Sequence, residues 1–245
     1  MLPCLSIIFS LNLATEMFSK YPQFSFAFAI IFFADLIATT NDFFTVRLVT
    51  KPLITISLIL FLHFIIKRKS RFTSKVMIGL LFSLIGDIAL MFAAKDSNFF
   101  MLGLGAFLIA HIFYIAAFYL DSTNKIEVHR RYITPIFMVF GFYCFSYYYV
   151  LSPYLGELNL PVLFYSIAIA LMGIMAALRY GKTNFKSFSW ILTGAVLFII
   201  SDSILAYNKF VEPLEISDIL IMSTYMLAQF LIAMGTAERK YVKKN

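Results

Sequence analysis

Two aspartates lie inside apolar stretches of this 245-residue chain, Asp87 in SLIGDIALMF and Asp202 in LFIISDSILAY. An acidic side chain at the centre of a membrane helix costs about 2.5–3.5 kcal/mol on insertion scales, so such residues mark ion pathways, proton relays or reactive sites. Two carboxyl groups in one site suit acid–base chemistry, one donating a proton while the other, ionised, activates water or stabilises a cation. The similar sequence around Asp87 and Asp202 points to one shared site. Other polar groups recur at helical spacing. His111 and Tyr114 are three residues apart and Tyr225 and Gln229 four apart, so each pair occupies one helix face. Lys51, in TKPL, is a candidate counter-charge, and Ser201 directly precedes the second aspartate. Each of these also has a plainer reading as a hydrogen bond between helices. Asp35, in FFADLIATT, and His63, beside KRK, read as interfacial.

The elements that must carry these residues are membrane helices. Hydrophobic residues make up 61% of the chain and charged residues 13%, with mean hydropathy +0.87, against roughly 25% charged in a soluble domain. Apolar stretches near the ~20 residues needed to cross a bilayer fall at 24–40, 51–66, 75–94, 98–120, 131–151, 159–179, 188–207 and 217–237. The expected fold class is therefore all-α, an eight-transmembrane-helix bundle. Residues 1–23 form an apolar segment read as interfacial or partly inserted, with a ninth span as the alternative; Lys20 is its first basic residue, and the positive start of a secretory signal is missing. Residues 24–237 read as one integral domain and 238–245 as a basic tail.

Basic residues set the expected orientation. KRKSRFTSK between spans two and three, Lys125, Arg130 and Arg131 between four and five, Arg179, Lys182 and Lys186 around the sixth connection, and the C-terminal RKYVKK hold most of the charge. With Lys20 they account for 16 of the 20 Lys and Arg, leaving Arg47, Lys51, Lys95 and Lys209. The positive-inside rule then puts both termini in the cytoplasm, and both aspartates in the outer half of the bilayer, with His111 near the midplane. Basic loops beside anionic lipid account for the net charge of +7 without a nucleic-acid partner. The expected location is a bacterial cytoplasmic (inner) membrane.

Setting Asp87 on Asp202 aligns LIGDIAL with IISDSIL, and four spans separate the two copies. An even number of crossings gives both copies the same orientation, as in two parallel four-helix halves. Gly79, Gly86, Gly103 and Gly105 read as sites of close helix approach. Cys4 and Cys144 form no CxxC pair and set up no disulfide framework. The three histidines, His63, His111 and His129, lie at different expected depths and include no paired-His motif. No metal and no cofactor is expected.

GDIALMF followed by GLGAFLIAHIFYIAAFY, then GAVLFIISDSILAYNKF and STYMLAQFLIAMG, with KPL opening an early span, resembles the YhhN-like lysoplasmalogenase family over about residues 24–237. The resemblance implies an eight-helix membrane enzyme that hydrolyses the vinyl ether bond of lysoplasmalogens, giving a fatty aldehyde and glycerophosphoethanolamine or glycerophosphocholine. It implies Asp87 and Asp202 as the catalytic pair and a lysophospholipid, within membrane lipid, as the partner. A vinyl ether is cleaved by protonating its β-carbon; water captures the oxocarbenium ion and the hemiacetal collapses. Two-carboxylate glycosidases divide labour similarly around a related cation. His111, Tyr114, Tyr225, Gln229 and Ser201 would support the pair, and Lys51 would meet the phosphate.

Two readings from other classes compete: a small proton-coupled transporter using the same acids as a relay, and a lipid-binding protein without turnover. No span is interrupted at its midpoint by paired Gly and Pro, and the repeat is parallel rather than inverted; both features are less typical of transporters.

Overall fold

A computed structural model describes residues 20–123 and 130–240. Eight helices are long and apolar enough to cross a membrane, and the protein is an integral, multi-pass, all-α bundle. The helices are α1 Pro22–Thr40, α2 Phe44–Ile65, α3 Arg71–Met91, α4 Ser97–Ser122, α5 Arg130–Leu151, α6 Asn159–Ala177, α7 Phe185–Phe210 and α8 Ser217–Ala237. Pro22 opens α1 where no backbone donor is needed. Ser70 and Asp96 cap α3 and α4 by accepting from Thr73 N and Asn98 N at 3.2 and 2.9 Å. Large apolar side chains such as Phe26, Phe33, Phe64, Phe142 and Phe145 point outward, the arrangement a lipid solvent permits. Small and polar residues concentrate inside.

One expected boundary moves. The second span was expected to open at residue 51, but α2 begins at Phe44, because FTVRLVT continues the helix despite Arg47. Lys51 therefore lies about 10 Å along the helix at ~1.5 Å per residue, buried at 8% exposure rather than at a boundary. Asp35, near the end of α1, is also fully buried and accepts from Thr50 Oγ1 at 2.6 Å.

A constant shift of 115 residues maps the first half onto the second. It carries α2 (44–65) onto 159–180, where α6 lies, and α3 (71–91) onto 186–206, within α7. It also relates Gly79 to Gly194, Asp87 to Asp202 and Tyr114 to Gln229. Packing follows the same rule. The most intimate pairs are α3 with α4 and α7 with α8, and the halves meet reciprocally, α2 on α8 and α6 on α4.

The tight pairs depend on glycine. A Cβ at Gly86 would lie 2.7 Å from the Phe107 ring, and one at Gly194 would lie 2.9 Å from the Ala228 carbonyl oxygen. Gly105, expected at a close approach, faces open space instead. Gly194→Ala must push α7 off the α8 backbone, which cannot yield as a side-chain tip can. The expected loss is about 1–3 kcal/mol, read as a lower thermal midpoint in detergent, with Gly105→Ala unchanged as the control.

At the end bearing the basic connections, hereafter the basic end, a buried cluster joins α4, α6, α7 and the end of α8. Asp121 accepts from Arg179 Nε at 2.9 Å and from Arg239 Nε at 3.0 Å. Arg179 also donates to Ser187 Oγ at 2.8 Å, and Asp121 and Arg179 are both fully buried. Lys20 pairs with Glu238 beside it.

Candidate active site

The polar residues that the sequence singles out converge between α2, α3, α4, α6, α7 and α8, toward the end opposite the basic loops. Asp87 is four residues from the end of α3, and Asp202 eight from the end of α7. Asp87, 1% exposed, accepts from Tyr225 Oη at 2.6 Å and from Thr55 Oγ1 at 3.1 Å on the same oxygen. Its other oxygen lies 3.9 Å from Lys51 Nζ. Two hydroxyl donors and a cation are the surroundings of a carboxylate that acts as an acceptor. The network continues inward. Gln229 Nε2 donates to Tyr225 Oη at 3.2 Å, and Gln229 Oε1 accepts from Tyr114 Oη at 2.7 Å. Because Tyr114 and Gln229 are equivalent under the 115-residue shift, this bond joins the two halves at the centre of the bundle.

Asp202 has different company. Its Oδ2 accepts a hydrogen bond from Tyr165 Oη, and His111 Nε2 lies 3.7 Å from the same oxygen, beyond hydrogen-bond length. His111 is fully buried, its ring edge-on to Tyr165 at 5.3 Å and to Phe198 at 4.8 Å. Phe198 is also edge-on to Tyr225 at 5.5 Å. One aromatic ring, Phe198, thus touches both His111, beside Asp202, and Tyr225, the partner of Asp87. Each aspartate is met by the preceding helix of its own half and by the last helix of the other half.

Asp202 forms part of the wall of an apolar cavity between α4, α5, α6 and α7. Tyr143, Tyr147, Tyr165, Val162 and Ile169 are among its lining. Tyr143 and Tyr147 bond Ser203 and so hold α5 against α7. A second recess, with charged side chains including Lys51 in its lining, opens at the end opposite the basic loops. The two adjoin, since Phe100 and Leu205 line both.

Of the expected residues, Asp87, Lys51, Tyr225, Gln229 and Tyr114 form one connected group, and Asp202 and His111 a second beside it. Ser201 does not join either. Its Oγ donates to the Ile221 carbonyl at 3.0 Å, turned toward α8 and away from Asp202. Sequence reasoning missed Thr55 and Tyr165, which directly bond the two carboxylates. The 115-residue shift offered a signal for Tyr165, since it places that residue opposite Thr50, next to Lys51. Among the described residues, no group of three or more His, Cys, Asp or Glu could hold a metal ion.

Comparison with known proteins gives this arrangement a context. The model of the YhhN family matches residues 46–236, which includes every helix that contributes to the site. Human Lysoplasmalogenase TMEM86A is 31% identical over 171 residues, covering 68% of this chain and 67% of the relative. Lysoplasmalogenase TMEM86B of Sus scrofa is 30% identical over 196 residues, 80% of this chain and 77% of the relative. A Mycobacterium bovis protein named Lysoplasmalogenase is 30% identical over 138 residues, 56% of this chain and 50% of the relative. No solved structure matches. With the match spanning seven of the eight helices entire or nearly so, the chain belongs to the YhhN family.

Proposed function

We propose that this protein is a lysoplasmalogenase, hydrolysing the vinyl ether bond of a lysophospholipid with Asp202 as proton donor and Asp87 as general base. The observation that carries the reading is the contrast between the two acids. Asp202 borders an apolar cavity suited to an alkenyl chain, while Asp87 faces a lysine and accepts from two hydroxyls. The names of the relatives support the substrate class.

In the proposed cycle, Asp202 transfers its proton to the β-carbon of the vinyl ether, and the π electrons form the new C–H bond. The resulting oxocarbenium ion is flanked by two carboxylates, which stabilise it electrostatically. Water adds to the α-carbon and gives a proton to Asp87, forming the hemiacetal. Collapse returns the Asp87 proton to the departing glycerol oxygen, and the hemiacetal hydroxyl proton goes to Asp202. Aldehyde and glycerophospho-alcohol leave with both acids in their starting states. Tyr225, Gln229 and Tyr114 fix Asp87, while Tyr165 and His111 orient Asp202 and the attacking water. The positive-inside rule puts this chemistry in the outer half of the membrane.

The test supplies purified protein in detergent with alkenyl- and acyl-lysophospholipids and follows aldehyde release. Aldehyde from the alkenyl lipid alone is the expected result. Proton-coupled solute flux in liposomes, with no lipid cleaved, would replace this reading with the transporter.

A further inference from the structure

The recess beside Lys51 carries more charge than the hydrolytic step uses. Arg47 and Lys51 from α2, Lys209 from α7 and Asp218 from α8 all line it. Lys51 is nine-tenths buried, and among the described residues its counter-charge is the Asp87 oxygen, 3.9 Å away. Arg47 Nε is buried without an acceptor. Lys209 lies over the Phe100 ring, its nitrogen 4.9 Å from the centroid, and Phe100 is one of the two residues shared with the apolar cavity. Asp218, in the first turn of α8, is exposed and forms no ion pair within 4 Å with a described residue.

A half-buried guanidinium whose Nε lacks an acceptor, beside a largely buried ammonium, calls for an anion, and arginine and lysine are the side chains that hold phosphate. Three cations against Asp218 and the Asp87 carboxylate beside Lys51 leave a net positive charge that suits a phosphodiester. The Asp218 carboxylate, in the first turn of α8, adds a place for a positive group. We propose that this recess is the headgroup site for a zwitterionic glycerophosphodiester: Arg47, Lys51 and Lys209 take the phosphate and Asp218 takes the ammonium.

The inference rests on the lysoplasmalogenase reading for its substrate and extends it in two ways. A lipid with its head in the recess and its chain in the cavity crosses from one to the other at Phe100 and Leu205. Its glycerol end then lies on the Lys51–Asp87 side and its chain on the Asp202 side. The site also recognises the part of the substrate that becomes the water-soluble product, so that product is retained and competes with the next lipid.

The experiment compares alkenyl-glycerophosphoethanolamine, alkenyl-glycerophosphoglycerol and phosphate-free alkenylglycerol as substrates for wild type, Arg47→Gln, Arg47→Lys and Asp218→Asn. Arg47→Gln is expected to raise KM for the phospholipids about tenfold, the loss of one charge-assisted hydrogen bond, and to leave the phosphate-free substrate unchanged. Arg47→Lys recovers part of the effect. Asp218→Asn is expected to bring the ethanolamine and glycerol headgroups toward equal KM. Calorimetric titration of free glycerophosphoethanolamine into the same proteins reads the site without turnover. Binding to wild type that is lost in Arg47→Gln supports the headgroup site even if no lipid is cleaved, in which case the hydrolase reading alone fails. Cleavage with KM unchanged in every variant, equal changes on phosphate-free and phosphorylated substrates, or no binding of the diester would overturn the headgroup assignment.

Discussion

Asp87→Asn and Asp202→Asn are each expected to lower aldehyde release by about 10²–10⁴-fold, the range of a lost general acid or base, with KM little changed. Asparagine keeps the volume and can still accept from Tyr225 and Thr55 at residue 87 or from Tyr165 at residue 202, so the bundle should fold. What it loses differs at the two places. At 202 no transferable proton remains for the β-carbon; at 87 the carboxylate that takes a proton from water and faces Lys51 is gone. Because the two acids exchange duties during hemiacetal collapse, the double variant is expected to be little slower than either single one. Groups that act as a unit behave this way. Turnover equal to wild type in either variant, with protein levels matched, would take that aspartate out of the chemistry.

The second large effect concerns stability and lies at the other end of the molecule. Asp121→Ala leaves Arg179 fully buried with Ser187 and the Phe72 and Phe118 rings but no counter-charge within the cluster, and removes the carboxylate that Arg239 also reaches. Breaking a buried ion pair by deleting one member destabilises by about 3–5 kcal/mol, because the remaining charge is uncompensated. Thermal unfolding in detergent should show a fall in midpoint well beyond that of Gly194→Ala, and Asp121→Asn an intermediate one, since the amide oxygen still accepts. An unchanged midpoint for Asp121→Ala would mean that the cluster does not hold α4, α6 and α7 together.

How legible a residue was in the sequence depended on how rare its type is inside an apolar helix. Asp87, Asp202, His111 and Gln229 stand out because few such residues occur there, and the structure brings them to one region. Thr55 and Tyr165 do not stand out. Threonine satisfies itself on a helix backbone anywhere, and Tyr165 is one of 14 tyrosines, most of which suit packing or the interfacial belt. Ser201 failed for the complementary reason: adjacency to Asp202 puts the two side chains about 100° apart around the helix at 3.6 residues per turn, and Ser201 faces α8. Lys51 was found but misplaced, because hydropathy underrates the start of α2, where Arg47 interrupts an otherwise apolar helical turn. The recess needed the fold outright, since Arg47, Lys209 and Asp218 come from three helices and carry no shared sequence pattern.

The 115-residue correspondence between the halves has a consequence for how substrate reaches such an enzyme. A unit of four crossings brings the chain back to the side on which it started, so its second copy inserts the same way up; a unit of three would have turned it over. Asp87 and Asp202 consequently lie on the stretches of their helices nearer the same end of the bundle, with the recess opening at that end. On the proposed function, such a protein draws lipid from a single leaflet. Lysolipid in the other monolayer becomes substrate only after transbilayer movement, so the flip-flop rate, rather than total membrane content, would govern how much of the pool can be consumed.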